Sequence, residues 1–206
     1  MATGVLKKPA RIYGPDSNGI VMTPRQFDRA EFAEGYRYEL INGVLVVSST
    51  PSLSERDPNQ ALGRWLLDYQ DNHPKGIALD FTIHEHIVQT GGNRRRADRV
   101  IWAGLGRLLK RNETPVIVVE FVSAGKRNIE RDYETKRDEY LGCGVREYWI
   151  FDRFEHSLTV FQTAGGRRSR KRVFAENQIY STDLLPGFRL HLDRLFALAD
   201  RWPSDE

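Results

Sequence analysis

The sequence lacks the features that mark several large classes of protein. It has a single cysteine, Cys143, which excludes an intramolecular disulfide framework and a zinc cluster built from several cysteines. It has no run of about 18 apolar residues, so no membrane-spanning helix is expected. Residues 1–16 contain no apolar stretch of the kind found in secretory signals. We therefore expect a cytoplasmic protein with no membrane partner.

Net charge is also small. Lys and Arg number 31 against 28 Asp and Glu, which leaves a formal charge of +3. This total neither requires nor excludes a nucleic-acid partner, so the positions of the charges must decide. Hydrophobic residues are 40% and charged residues 29% of the chain, a balance typical of a folded globular protein.

The length of 206 residues fits one domain. Composition along the chain predicts an irregular arm over residues 1–22, a single domain over 23–200 and a tail over 201–206. Asn42-Gly43 lies between two strand-like runs, 36–41 and 44–48, and this arrangement predicts a β-hairpin. Hydrophobic spacing and turn residues predict helices at 24–34, 59–72, 129–141 and 192–199. They predict further strands at 77–81, 84–90, 96–102, 115–122, 147–152, 157–161, 173–174 and 178–180, with loops at 49–58 and 165–172.

Glu120 is the most informative single residue. It lies inside the apolar run 115–122, which is typical of a strand that is buried on both faces. A buried carboxylate is unfavourable by several kcal/mol unless it is paired or bound to a metal. Two interpretations stay open: a structural carboxylate satisfied by an arginine or by backbone N–H groups, or a metal ligand.

Two further acids, Glu39 and Asp98, also fall in or beside predicted strands. Each is compatible with an ordinary turn or surface acid. Asp132 and Lys136 are four residues apart, so they share a helix face with Tyr140, although the pair is also compatible with a surface ion pair. Three acids and a lysine suit one or two Mg²⁺ ions and the hydrolysis of a phosphodiester.

Five segments together resemble one known family. They are residues 38–48, 97–98, 118–123, 132–140 and 144–152. The sequence resembles the Uma2 family, formerly the domain of unknown function DUF820, over roughly residues 24–190. The most specific blocks are 38–43 (Tyr-Glu-Leu-Ile-Asn-Gly) and 144–150 (Gly-Val-Arg-Glu-Tyr-Trp-Ile).

This resemblance implies an α/β (α+β) fold of the restriction-endonuclease-like, PD-(D/E)XK type. Such a fold has a mixed β-sheet flanked by helices, here with an N-terminal β-hairpin. It also implies an endonuclease that hydrolyses DNA with water activated by Mg²⁺, or by Mn²⁺, and that pairs as a homodimer. By the same resemblance Asp98 and Glu120 match the metal ligands, Glu39 matches a third acid, and Lys136 matches the lysine that positions the attacking water.

The sequence departs from the family pattern at three places. Ala97 replaces the proline of the motif, Val122 stands where its lysine is expected, and residues 54–57 contain no histidine where many members have one. The change at Val122 keeps an alternative open: a catalytically inactive nuclease fold that acts as a nucleic-acid-binding or protein-interaction module. A glycosidase with paired carboxylates is a third possibility. The arginines beside Asp98 argue against it.

Two basic clusters are predicted to lie in loops. Such clusters bind phosphate backbones without sequence preference, although a solvated loop has the same composition. The first cluster adjoins Asp98, which favours a role in holding nucleic acid or stabilising an anionic transition state. The predicted nucleic-acid-binding residues are Arg94, Arg95, Arg96, Arg167, Arg168, Arg170, Lys171 and Arg172.

Overall fold

The computed structural model describes residues 11–125, 131–163 and 169–203. The chain divides into two compact units, residues 1–50 with 92–94, and residues 51–91 with 95–206. The single domain predicted over 23–200 stays a prediction. Strand β1 (Ile12–Tyr13), within the predicted arm, pairs in parallel with strand β2 (Glu31–Phe32).

Between β1 and β2 the first unit contains helix α1 (Pro24–Phe27). Thr23 caps this helix as its sequence predicts: its Oγ1 accepts a hydrogen bond from Gln26 N–H at 3.2 Å. The predicted continuation of the helix to residue 34 was wrong. Residues 31 and 32 form β2 instead, because pairing with a distant strand overrides a weak local helix preference.

The predicted hairpin is confirmed by strands β3 (Tyr36–Ile41) and β4 (Val44–Ser49), which pair antiparallel. Asn42 and Gly43 join them with φ angles of 52° and 77°. Two successive residues in the left-handed region form the tight turn whose twist matches that of the flanking strands.

The second unit is built on a mixed sheet. Its strands are β5 (Leu79–Thr90), β6 (Asn93–Ala103, whose first two residues belong to the first unit), β7 (Ile117–Phe121), β8 (Glu147–Asp152), β9 (Ser157–Thr163) and β10 (Ser169–Ala175). The order is β10-β9-β8-β7-β6, and β5 also pairs with β6. Strands β7 and β8 are parallel, whereas the pairs β6–β7, β8–β9 and β9–β10 are antiparallel. A separate small ladder joins β11 (Ile179–Tyr180) to β12 (Leu190–His191).

Helix α2 (Leu53–Asn72) starts six residues before the predicted position. Ser52 is its N-cap, and the Glu55 carboxylate accepts a hydrogen bond from Ser52 N–H at 2.7 Å. The predicted loop over residues 49–58 is therefore wrong from residue 53 onward. The turn-like composition around Pro58 concealed the capping signal.

Two more helical segments complete the second unit. A π-helical turn (Arg131–Lys136) runs directly into helix α3 (Arg137–Gly142), and together they occupy the crossover that parallel strands β7 and β8 require. Helix α4 (Leu192–Ala199) has the predicted bounds. No helix within the described ranges has the length and apolar character needed to cross a membrane.

Side chains alternate between the two faces of this sheet along each strand, and both faces are covered. On one face, here called the α2 face, Val119, Phe121 and Trp149 pack in one cluster with residues of α2 and α4. On the other, here called the α3 face, Val118 and Tyr148 pack with Tyr140 of α3. The expected mixed sheet flanked by helices is confirmed, and β7 is buried on both faces as its composition predicted.

Candidate active site

Glu120 lies on β7 with its side chain on the α3 face, and it is 2% exposed. The Lys136 ammonium lies 2.9 Å from Glu120 Oε2. Tyr140 Oη donates a hydrogen bond to Glu120 Oε1 at 2.9 Å. Both partners come from the helical crossover after β7, so a buried cation and a buried hydroxyl group hold this carboxylate.

The same ammonium also bridges to a second acid. Lys136 Nζ lies 3.1 Å from Asp132 Oδ1, and the two residues are 3% and 2% exposed. They therefore form a buried ion pair rather than a surface pair. The four-residue spacing does place Asp132, Lys136 and Tyr140 on one face, as the sequence predicted. The π-helical turn that carries the first two is a departure from α-helix geometry that is frequent at functional sites.

Asp98 lies on β6 beside this group and is 4% exposed. Arg99 pairs with Val119, so the antiparallel register places Asp98 opposite Glu120 on the same face of the sheet. Asp98 Oδ2 accepts a hydrogen bond from Phe121 N–H at 2.7 Å. A main-chain donor and the adjacent strand therefore fix the orientation of this carboxylate.

Tyr148 shows how closely the acids are grouped. Burial raises the pKa of its phenol well above the usual value of 10, and the nearby charges of Glu120, Asp132 and Asp98 raise it further. The phenol therefore stays protonated, and among the described residues its hydroxyl has no hydrogen-bond partner. Among the described residues, the surroundings of Tyr148 combine these three carboxylates with two cations, Lys136 and Arg131, whose Nε lies 3.3 Å from Asp132 Oδ1.

The described side chains restrict how a metal ion could be bound at this site. Among residues 11–125, 131–163 and 169–203, no group of three or more His, Cys, Asp or Glu side chains is arranged to hold a metal ion. Mg²⁺ is commonly bound by one or two carboxylates and keeps several waters. Asp98 and Glu120, side by side on neighbouring strands, fit that requirement.

Val122 occupies the position where the family motif has a lysine. Its side chain is 1% exposed and packs with Val118 and Tyr140 on the α3 face. The strand therefore supplies an apolar side chain at this point, and among the described residues Lys136 of the crossover is a cation next to Glu120.

Glu39 lies in the first unit, on β3 opposite Val46, and is 7% exposed. Its proposed role as a third acid stays a prediction.

The first basic cluster does not form a loop. Arg94, Arg95 and Arg96 belong to β6, which begins three residues earlier than predicted. Arg94 makes paired hydrogen bonds of 2.7 and 2.8 Å to Asp28, and Arg95 makes two of 2.7 Å to Glu139. Arg94 and Arg95 are 6% and 1% exposed, and ion pairs with the exposed Asp28 and the half-buried Glu139 engage their guanidinium groups. Their contact with nucleic acid stays a prediction.

The second basic cluster is only partly described. Arg167 and Arg168 lie outside the described residues. Arg170, Lys171 and Arg172 are exposed on β10, so the predicted loop is wrong at these positions. The strand forms because residues 169–175 pair antiparallel with β9.

The strand alternation separates these cations between the two faces. Lys171 Nζ lies 5.6 Å from the ring centre of Tyr133 and 5.9 Å from that of Phe161, on the α3 face. Arg172 instead lies over Phe174, which packs against the core of the α2 face. Lys171 is therefore on the same side of the sheet as Glu120.

Two residues that support the strands around Asp98 and Glu120 were not predicted from the sequence. The Glu55 carboxylate accepts a hydrogen bond from Ser123 Oγ, just after the strand that carries Glu120. Asn59 Nδ2 donates to the main-chain oxygen of Asp98 at 2.9 Å. Both residues lie near the start of α2. The signal that could have revealed this helix start is the capping pair of Ser52 with Glu55 three residues later.

Comparison with known proteins identifies the family and the fold. Residues 24–193 match the model of the Uma2 family, described as "putative restriction endonuclease". The crystal structure of "a putative nuclease belonging to DUF820" from Anabaena variabilis ATCC 29413 is similar with a TM-score of 0.66 at 14% identity, covering 86% of this chain and 99% of that one. At this identity the likeness shows the fold alone. No curated protein matches the chain. Because the family model spans most of its length, the chain belongs to the Uma2 family of restriction-endonuclease-like proteins.

Proposed function

We propose that this protein is a Mg²⁺-dependent endonuclease that hydrolyses DNA phosphodiester bonds at the α3 face of its sheet. The observation that carries the proposal is the buried Lys136 ammonium, 2.9 Å from Glu120 and 3.1 Å from Asp132, with Asp98 on the adjacent strand. Membership of the Uma2 family supports a nucleic-acid substrate. A cytoplasmic location and a homodimer remain predictions from the sequence.

Asp98 and Glu120 would hold the metal, with Mn²⁺ as a substitute for Mg²⁺. When bound, the ion supplies Lewis-acid polarisation of a phosphoryl oxygen and lowers the pKa of a water ligand. The chain's contribution is to present two carboxylates on one face of β6 and β7, each oriented by a donor: Phe121 N–H for Asp98 and Tyr140 Oη for Glu120.

Lys136 would place positive charge where negative charge develops on the phosphoryl group, and would help to orient the attacking water. Its ammonium is held between two buried carboxylates, so it needs little reorganisation during the reaction. Preorganised charge of this kind is usually the largest single contribution to catalysis.

Lys171 would contact the DNA backbone. It is exposed on β10 and lies on the same face of the sheet as Glu120. Its neighbours Arg170 and Arg172 project from the opposite side of the strand because side chains alternate. Lys171 is thus the described member of the second basic cluster that is best placed to serve this site.

Cleavage of supercoiled plasmid DNA tests the proposal. We expect nicking in the presence of Mg²⁺ or Mn²⁺, none with EDTA, and none by the double variant Asp98→Ala with Glu120→Ala. A matched variant, Asp71→Ala with Asp183→Ala, removes two exposed carboxylates and should cleave like the wild type. Activity that persists without Asp98 and Glu120 would remove both from the mechanism.

One observation favours a second candidate, a nuclease fold that binds nucleic acid or protein without cleaving. Both oxygens of Glu120 already have partners, Lys136 and Tyr140, and Val122 fills the motif's lysine position with an apolar group. Calorimetric titration with Mn²⁺ separates the two candidates. Absence of binding would favour the inactive module, whereas binding that the Asp98→Ala variant weakens would favour the nuclease.

A further inference from the structure

A concave cleft lies on the α2 face, on the opposite side of the sheet from Glu120. It is a cleft of about 380 Å³, between the second half of α2 and the segment from Gly187 to the start of α4. Trp65, Tyr69 and His73 line one side, and Phe188, Arg189 and Arg194 line the other. Its volume lies within the range of small-molecule pockets, roughly 300–1,000 Å³.

The interior of the cleft is aromatic and held in place. The buried ring of Tyr69 stacks on His73 at 5.1 Å between centres and meets the edge of Phe188 at 5.5 Å. Tyr69 Oη donates a hydrogen bond to the main-chain oxygen of Lys75 at 2.8 Å. A Cβ atom at Gly187 would lie 2.4 Å from His73 Cε1, so only glycine lets the loop approach the imidazole this closely. The result is a preorganised aromatic wall.

The rim of the cleft carries cations. Arg189 and Arg194 are exposed, and the Arg194 guanidinium lies 5.3 Å from the ring centre of Trp65. One acid, Asp68, also lines the cleft, where it accepts a hydrogen bond from Asn72 Nδ2 at 2.8 Å. Two guanidinium groups against one carboxylate leave the rim positively charged. Guanidinium groups bind phosphate through paired charge-assisted hydrogen bonds.

We propose that this cleft binds a nucleotide, with the base against the partly exposed rings of Trp65 and His73 and the phosphate at Arg189 and Arg194. Stacking of a base on aromatic side chains together with nearby arginines is the recognition mode of nucleotides in single strands. Because the cleft and the Glu120 site lie on opposite faces of the sheet, this inference is independent of the nuclease proposal. A free mononucleotide and a nucleotide within a single strand share the recognised chemistry.

Titration calorimetry with AMP tests the site on the full chain. Arg189→Gln and Arg194→Gln should each weaken binding about tenfold, the effect of losing one charge-assisted hydrogen bond. Asp68→Asn removes the opposing charge and should tighten binding. Arg64→Gln is the matched control, because Arg64 is an exposed arginine of α2 that does not line the cleft, and it should bind AMP like the wild type.

Further titrations identify the source of the ligand and separate the two sites. Adenosine alone and inorganic phosphate alone should each bind more weakly than AMP. A single-stranded deoxyadenosine oligonucleotide that binds more tightly than AMP assigns the cleft to a strand, and the reverse order assigns it to a free nucleotide. The Asp98→Ala with Glu120→Ala variant should bind AMP normally. Absence of binding by both ligands, or equal affinities for Arg194→Gln and Arg64→Gln, would overturn the proposal.

Discussion

Replacing Gly63 with alanine tests how helix α2 is fixed against strand β6. An alanine Cβ at this position would lie 2.5 Å from Arg99 Nη2. Arg99 is 5% exposed and donates hydrogen bonds to Asn59 Oδ1, to Asn59 O and to Thr82 Oγ1, at 2.8, 3.0 and 3.1 Å. Burial lowers the pKa of Arg99 to about 10, so the group remains charged at neutral pH.

The guanidinium group must therefore move, and its buried hydrogen bonds to α2 must lengthen or break. A hydrogen bond to a charged group contributes about 1.5–3 kcal/mol, and an unsatisfied buried charge is more costly still. Alanine stabilises a helix by about 0.5–1 kcal/mol relative to glycine, which offsets part of this loss. We expect a net loss of about 2–3 kcal/mol in the free energy of unfolding, which corresponds to a melting temperature about 5–10 °C lower.

Thermal unfolding followed by circular dichroism measures this loss. Gly142→Ala is the matched control, because it also replaces a helical glycine but its Cβ meets nothing within 4 Å, so its melting temperature should hold or rise slightly. In an Arg99→Ala background the clash is gone, and Gly63→Ala should cause no further loss. A Gly63→Ala protein that melts at or above the wild-type temperature would show that the Arg99 contacts do not fix α2 against β6.

Three more outcomes follow from the structure. Glu147 is 5% exposed and accepts hydrogen bonds from four neutral side chains. Glu147→Gln replaces one of its acceptor oxygens with an NH₂ group that faces other donors. Urea titration should therefore show a free energy of unfolding lower by about 2–3 kcal/mol. A hydrogen bond with Glu176 raises the pKa of His156 above its usual 6.5. The stability that this hydrogen bond contributes is therefore complete below pH 6.5 and is lost as the pH rises through the raised pKa. Unfolding curves at about pH 6 and about pH 9 should show a small decline in stability, which His156→Gln should abolish. Lys171→Gln should reduce the slope of DNA affinity against salt concentration by about one, whereas Arg170→Gln on the opposite face should leave it unchanged; equal effects would argue against the α3 face as the DNA-binding side.

Local signals in the sequence predicted those features that depend on neighbouring residues. Asn42-Gly43 specifies its hairpin because both residues adopt positive φ readily. The four-residue spacing of Asp132, Lys136 and Tyr140 places them on one face even though part of the segment is π-helical. Their contact with Glu120 depends on how the crossover packs against β7, and the spacing alone did not predict it.

Features that depend on distant partners could not be predicted in the same way. A run of three arginines resembles a solvated basic loop, yet Arg94 and Arg95 are buried because Asp28 and Glu139, 66 and 44 residues away, supply carboxylates. The cleft beside Tyr69 likewise brings together residues more than a hundred positions apart. No local period in the sequence encodes such pairings.

The rate of Mg²⁺-dependent plasmid cleavage by Lys136→Met tests directly whether the Lys136 ammonium takes part in the reaction. Methionine keeps much of the lysine's length and removes its charge from between Glu120 and Asp132. Loss of one preorganised electrostatic group lowers a rate by about 10²–10³, so we expect cleavage slower by at least about a hundredfold. Lys110→Met, which removes an exposed lysine, should cleave at the wild-type rate. Cleavage by Lys136→Met at the wild-type rate, or no metal-dependent cleavage by the wild type itself, would contradict the account.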